Sequence, residues 1–406
     1  MTGPRPEQPW LTAPTTRAVM AALEAVGGPG CARFVGGCVR NALIGAPVAD
    51  IDIATTLRPD QTEAAVRAAG LKAVPTGVAH GTVTAVSDHQ PFEITTLRRD
   101  VSTDGRNATV AFTDDWGEDA ARRDFRLNAL YADAEGRVFD PTGHGVDDAM
   151  AGRVVFVGDP ATRIHEDYLR ILRFFRFHAW YGRGEPDNAG LAACRDLVSG
   201  MTRLSAERVS GELIKLLSAP DPRPAVAAMA DAGVLRQVLP EAGLTPLFGA
   251  VVAQGGDPVV RLMVLLPPDE RVALEASRRL RLPNAVRDRL AFAARALPDV
   301  SLSMSDREAR AALYRHGQQA VADAVRRRWA EAPERASEAR GLLALTEDWT
   351  RPKLPVGGRD LARLGVAAGP ETGRLLRAFE DGWIADDFPA SGHEDRLRAL
   401  LSLPHG

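Results

Sequence analysis

The chain has 406 residues, of which 45% are hydrophobic and 25% charged, the make-up of a globular protein with a buried core rather than of a disordered one. Its 50 basic and 53 acidic residues leave a formal charge of −3, which excludes a uniformly basic nucleic-acid coat but not a local basic patch. Lysine occurs only at Lys72, Lys215 and Lys353, so the positive charge is almost all arginine, whose rigid bidentate fork suits phosphates and base edges.

Residues 1–16 carry prolines and no apolar stretch, so a loose tail is expected there rather than a signal peptide. A helix is predicted over 17–26, stopped by Gly27-Gly28-Pro29-Gly30. Strand 32–35 runs straight into Gly36-Gly37, and 39–44 reads as helix. The alternation in Asp50-Ile51-Asp52-Ile53 predicts a strand with one exposed face. A helix over 60–69 follows, then strands near Val74 and over 82–86 and 92–97, with turns at Thr76-Gly77 and at 88–91. Residues 100–117 read as irregular, with Asp104-Gly105 as a turn, and 121–131 as helix. A short strand at Val138-Phe139 closes this part. From about residue 147 the pattern is helical, including one continuous helix over 161–181. The expected fold is therefore α+β: a mixed-sheet head followed by an all-helical remainder. No run of about 18 apolar residues suggests a membrane segment. Cys31, Cys38 and Cys194 are too few and too scattered for a disulfide framework or a zinc site, which fits a reducing, cytoplasmic setting.

The chemistry-bearing signal is Gly36-Gly37-Cys38-Val39-Arg40-Asn41-Ala42-Leu43-Ile44-Gly45, followed five residues later by Asp50-Ile51-Asp52. Carboxylates at i and i+2 of a strand share a face. They can hold hard divalent cations beside substrate phosphates, and two such metals serve one phosphoryl transfer. A double glycine ahead of a helix lets backbone approach a phosphate. Further on, Arg122-Arg123-Asp124 combines phosphate donors with an acceptor for a ribose hydroxyl. Taken alone it would be a surface charge cluster. Asp167 and Arg170, i and i+3 in the predicted helix, would by themselves be an intrahelical ion pair. On an ideal helix Arg173 lies about 60° round from Arg170, whereas Arg176 falls about 180° from Asp167. The Phe174-Phe175-Phe177 cluster reads as helix core.

Together these motifs resemble the class II tRNA nucleotidyltransferases and bacterial poly(A) polymerases of the polymerase β superfamily. Phe92-Glu93-Ile94 resembles the family strand with a third carboxylate. Asp104-Gly105-Arg106 stands where the family has a flexible loop. Arg122-Arg123-Asp124-Phe125 with Asn128 resembles RRDFTxNA. Glu166-Asp167-Tyr168-Leu169-Arg170 through Arg173 and Arg176 resembles EDxxRxxRxxRF. Ser205-Ala206-Glu207-Arg208 with Glu212 resembles the next helix, SxERxxxEL. Two positions depart from the pattern: Asn41 stands where the family has Asp, and Arg126 where it has Thr.

The resemblance implies a polymerase β-like head over 30–146 after an N-terminal segment 1–29. A helical neck over 147–218 would select nucleotides, and a body and tail over 219–406 would bind tRNA. It implies CCA addition to the tRNA 3′ end from CTP and ATP without a nucleic-acid template. Asp50 and Asp52 would hold Mg²⁺, with Glu93 near the nucleophile. Gly36, Gly37, Arg40, Arg123, Asp124 and Asn128 would take the nucleotide's phosphates and ribose. Asp167, Arg170, Arg173 and Arg176 would face the incoming nucleotide, and Arg106 would serve the flexible loop. No membrane and no stable protein partner is implied. Bacterial poly(A) polymerases share most of these motifs. The stretch Thr76-Gly77-Val78-Ala79-His80-Gly81 resembles the CCA-adding version instead, and Arg106 resembles the loop arginine that CC-only enzymes lack. The intact DxD, RRD and EDxxR motifs argue against a catalytically silent RNA-binding protein of the same fold.

Overall fold

Nine strands fall into two sheets in the computed structural model, which describes residues 8–77, 81–104 and 107–402, with backbone alone over 100–104 and 107–110. They are β1 Ala32–Val35, β2 Asp52–Thr55, β3 Lys72–Gly77, β4 Thr82–Ser87, β5 Gln90–Thr96, β6 Arg98–Asp104, β7 Asn107–Phe112, β8 Tyr131–Ala132 and β9 Val138–Phe139. Seven form a mixed sheet in the order β3-β4-β5-β2-β1-β8-β9, and β6 pairs with β7 separately. Only β2 and β5 run parallel among these pairs, with Asp52 beside Glu93 and Ile53 beside Ile94.

Alternation explains the sheet's buried face. Val83, Ala85, Phe92 and Ile94 are fully buried while their neighbours along β4 and β5 are more exposed. Helices Pro14–Gly27 and Pro59–Ala68 pack against each other and β4, burying Val19, Leu23 and Val66. The two-residue turn between β4 and β5 places Asp88 at φ 46° and His89 at φ 65°. Left-handed backbone at both central positions matches the twist of a tight hairpin.

Several sequence expectations need correction. Residues 9–12 and 14–16 of the expected loose tail are helical. The span 100–117, read as irregular, holds most of the β6–β7 hairpin and the start of helix Trp116–Ala121. Residues 121–131 are not a helix. Arg122 caps Trp116–Ala121, Phe125 is extended and bridges Phe156, and only Arg126–Asn128 makes a 3₁₀ turn. Tertiary aromatic packing overrides helical propensity here, because the Phe125 ring lies 4.9 Å from Phe156 and 5.2 Å from Phe177. The expected helix 161–181 breaks at Asp167, giving Pro160–Glu166 and Leu169–Tyr181. Phe174 and Phe175 are fully buried, in agreement with their reading as core.

The described residues divide into two compact units, one ending at Pro240 and the other beginning at Glu241. The second is helical and includes Pro246–Ala253 and His393–Leu401, which the sequence reading passed over. Its helices carry side-chain caps at Asp257, Asp269 and Ser305. Its buried Asp323 is held by Arg289 Nε at 2.7 Å. Among the described residues, no helix is long and apolar enough to cross a membrane.

Candidate active site

Within the first unit lies a cleft of about 710 Å³. It collects Asp52 from β2, Gly36 from the end of β1, Gly37 and Arg40 from helix Gly37–Leu43, Arg122–Asp124 and Asn128 from the segment between helix Trp116–Ala121 and β8, and Asp167, Arg170, Arg173 and Arg176 from the broken helix pair. Phe125, wedged against Phe156 and Phe177, brings the RRD segment up to helix Leu169–Tyr181. Gly36 ends β1 at φ 73°, a conformation that disfavours a side chain. Its N–H donates to the Leu130 carbonyl at 3.0 Å, and helix Gly37–Leu43 starts at once.

The acidic centre is not quite as the spacing suggests. Strand β2 begins at Asp52, so Asp50 lies outside it and is exposed. Glu93 belongs to a second recess of about 490 Å³ on the other side of Asp52, together with Thr76, Thr82, Thr95 and Arg98. Asp52, Arg122 and Arg123 line both recesses. Burial, then Glu93 and Asp50, pushes the Asp52 carboxyl up to about 6 against the pull of Arg123. Among the described residues, no group of three His, Cys, Asp or Glu side chains is placed to hold a metal ion. The donor set still fits a hard divalent cation. Asp52, whose carboxyl feels the charges of Glu93 and Asp50, would offer hard oxygen ligands and leave the other coordination positions to substrate oxygens.

A second carboxylate fixes the arginines. Asp119 is 1% exposed. Its Oδ1 accepts from Arg122 Nη2 at 2.7 Å, and its Oδ2 accepts from Arg123 Nη2 at 2.9 Å and Tyr131 OH at 2.7 Å. Burial opposes its ionisation, but the Arg123 and Arg122 charges and the Tyr131 hydroxyl hold it down at about 2. The stability this contributes is full above the unfolded value of about 3.8 and is lost as pH falls toward 2. Asp119→Asn should lower the unfolding free energy at pH 7 by about 3 kcal/mol. Urea titrations of both proteins should also show a shallower loss between pH 4 and 2 in the variant. Asp119 escaped the sequence reading because its helix was placed too late in the chain.

Asp124 accepts from Arg173 Nε at 2.8 Å and from Asn128 Nδ2 at 3.2 Å. Burial opposes its charge, yet Arg173 and these hydrogen bonds hold it below the usual carboxylate range. Arg40 donates to Asn128 Oδ1, to Asn41 Oδ1 at 2.8 and 3.1 Å, and to Tyr181 OH at 2.7 Å. Asn41 thus keeps the hydrogen bond, without the charge, that Asp would make there. Arg126 turns away from the cleft toward buried Asp148, at 3.8 Å.

Asp167 and Arg170 do not pair with each other. Asp167 is extended at φ −155°; its Oδ1 accepts the Leu169 N–H at 3.1 Å and its Oδ2 accepts Arg208 Nη2 at 2.6 Å. Arg170 donates through Nη1 to Glu166 and the Arg163 carbonyl, and through Nη2 to the Arg122 carbonyl at 3.2 Å. Among the described residues its Nε–H and one Nη2–H are left for a ligand. Arg176 Nε lies 3.0 Å from Glu212 Oε2. Arg176 lines the same cleft as Asp167 because the break changes the angle between them. The motif SxERxxxEL supplied Arg208 and Glu212, whose roles as holders of Asp167 and Arg176 only the fold reveals. Arg106 and residues 78–80 lie outside the described residues.

A mixed sheet with this acidic edge, glycine elbow and arginine cleft defines a nucleotidyltransferase of the polymerase β type. Residues 32–155 match the Poly A polymerase head domain, and 186–243 match the probable RNA and SrmB-binding site of polymerase A. The chain is 34% identical over 388 residues to the mitochondrial CCA tRNA nucleotidyltransferase 1 of Mus musculus, covering 91% of this chain and 85% of that protein. It is 32% identical to the CCA-adding enzyme of Limosilactobacillus fermentum, covering 88% and 90% respectively. The fold matches the Bacillus stearothermophilus CCA-adding enzyme in complex with CTP at TM-score 0.77 and 24% identity, covering 96% of this chain and 98% of that one. The chain belongs to the CCA-adding tRNA nucleotidyltransferase family.

Proposed function

We infer that the chain adds CCA to the 3′ end of tRNA from CTP and ATP, releasing diphosphate and using no nucleic-acid template. The observation that carries this is the single cleft joining Asp52 and the Gly36 elbow to Asp167 and Arg170. One nucleotide can span it with its phosphates at the elbow and its base edge at the pair. Cytosine and adenine both present an exocyclic amine beside a ring-nitrogen acceptor. The Asp167 carboxylate suits the amine, and the remaining Arg170 N–H groups suit the ring nitrogen. Uracil and guanine offer the reverse pattern.

We assign Asp50 and Asp52 to a divalent metal pair, Mg²⁺ being the hard cation that carboxylates and phosphates favour together. When bound, such a pair activates the attacking hydroxyl and neutralises the leaving diphosphate. Glu93 sits in the neighbouring recess, where the RNA 3′-hydroxyl would approach Asp52. Gly36, Gly37, Arg40 and Arg123 take phosphates, and Asp124 with Asn128 takes the ribose. Arg173 and Arg176 fix the wall between base and phosphates, and Arg106 belongs to the loop acting at the switch from CMP to AMP. The head 30–146 performs transfer, the neck 147–218 selects nucleotides, and 219–406 holds tRNA through phosphate contacts without reading its sequence. Free thiols at Cys31, Cys38 and Cys194 suit a reducing compartment such as the cytoplasm.

The test supplies purified protein and Mg²⁺ with tRNAs ending before CCA, after C and after CC, each with single NTPs and with CTP plus ATP, and sequences the products. Stepwise completion that stops at CCA is expected. Runs of A would instead mark a poly(A) polymerase.

A further inference from the structure

Asp167 and Tyr168 form the link between helix Pro160–Glu166 and helix Leu169–Tyr181. Asp167 is extended at φ −155° and ψ 106°, and Tyr168 turns back to φ −60° and ψ −16°. Nothing in the local sequence asks for a break there. No glycine or proline stands between Arg163 and Tyr181, and the apolar spacing continues through the link. A helix closed across it would set Asp167 and Arg170 three residues apart on one face, where they would pair with each other. The break therefore has to be held open from outside.

Arg208 supplies one hold, on the Asp167 carboxylate. Tyr168 supplies another. Asp167, Leu169 and Arg170 line the cleft, while the Tyr168 ring occupies the space over Gly200 in the 3₁₀ segment Val198–Arg203. A Cβ on Gly200 would overlap Tyr168 Cδ1, Cε1 and Cζ. Gly200 has no left-handed φ, so its backbone would accept a side chain, and it is the ring that requires glycine there. Arg203 sets its guanidinium 5.4 Å from the ring centre, within cation–π range. The Tyr168 hydroxyl lies 3.0 Å from His165 Nδ1, in the last turn of helix Pro160–Glu166. The ring is thus tied both to the helix that ends at the break and to the segment that leads on to Arg208.

We propose that Tyr168, seated on Gly200, is a positioning residue for base choice: it keeps the chain open at Asp167, so that the carboxylate meets the incoming base instead of closing onto Arg170. This rests on the reading of Asp167 and Arg170 as the base-edge pair. Tyr168 acts through Asp167 and not on the substrate. Arg208 restrains only the Asp167 side chain, which can follow its backbone by rotating. The ring restrains the backbone itself, at the neighbouring Cα about 3.8 Å away. A displacement of about 1 Å in a group that must meet a reacting partner can cost about 10²-fold.

The experiment reads single-nucleotide incorporation from each of the four NTPs on tRNAs ending before CCA and after CC. Gly200→Ala pushes the ring out and leaves Asp167, Arg170 and Arg208 unchanged in sequence. It should relax the preference for CTP and ATP over UTP and GTP about tenfold, less than removal of the carboxylate itself. Tyr168→Leu brings no new atom against Gly200 and should shift the ratio the same way, so the test does not hang on how well Gly200→Ala folds. Tyr168→Phe keeps the ring in its notch and should keep the wild-type ratio. In an Asp167→Ala background Gly200→Ala should add no further relaxation, because both act through one carboxylate. If Asp167→Ala relaxes the ratio while Gly200→Ala and Tyr168→Leu leave it at the wild-type value, the positioning role is refuted and base reading stands. Further relaxation in the double variant also refutes it. If Asp167→Ala leaves the ratio unchanged, base reading itself is wrong and the proposal goes with it.

Discussion

Asp52→Ala should cut nucleotide addition by about three orders of magnitude or more, since the metal-assisted stabilisation it would remove is worth several kcal/mol and each 1.36 kcal/mol is tenfold. Asp52 is the carboxylate that lines both recesses, so in the proposed arrangement no neighbour can take its place between nucleotide and hydroxyl. Asp50→Ala should also be strongly impaired, although exposed Asp50 has more freedom to be replaced by water. Binding of tRNA should survive in both variants, because the phosphate contacts proposed for 219–406 do not involve β2. Single-turnover incorporation of CMP, with tRNA affinity measured separately, checks both points. Near-normal turnover of Asp52→Ala in Mg²⁺ would remove the metal assignment.

Asp167→Ala and Arg170→Ala should damage base choice as well as rate. A site made of directed hydrogen bonds rejects a wrong edge because its own groups are left unpaired, and such sites reach discrimination of about 10⁴. Losing one of the two readers should relax the preference for CTP and ATP over UTP and GTP by about 10²-fold. The geometry sharpens this expectation, since Asp167 and Arg170 are immobilised by other residues and do not neutralise each other. Asp167→Ala also leaves Arg208 without its carboxylate, so some stability should be lost. Incorporation ratios in the surviving activity separate that loss from reading. Unchanged ratios in both variants would make the two residues structural.

The glycine elbow and the order of the later motifs were legible because each depends on short-range spacing, whereas the reading of Asp50 and Asp52 as one strand face fails because β2 begins only at Asp52. The fully buried Phe174-Phe175 pair was legible too, because its helical period holds through the segment. The break at Asp167 was not legible. The helical pattern runs on from Arg163 to Phe177, and the Asp167 carboxylate at the interruption is held by Arg208, a partner 41 residues away. Asp119 was hidden for a similar reason: it fell between the span read as irregular and the helix expected over 121–131, and only the fold brings Tyr131 and two arginines around its carboxylate. The β6–β7 hairpin escaped because Arg-Arg-Asp-Val-Ser-Thr-Asp has no apolar alternation.

The parallel pairing of β2 with β5 bears on how the enzyme comes into being. Parallel neighbours need a crossover, and here it contains helix Pro59–Ala68, β3 and β4 before Glu93 reaches Asp52. Local hairpins such as β4–β5 form in microseconds, whereas closing a long connection carries an entropy that must be met before the pairing rewards it. The two acidic strand positions therefore come into register only after the central crossover has closed, and a nascent chain gains its catalytic edge no earlier than the middle of its sheet.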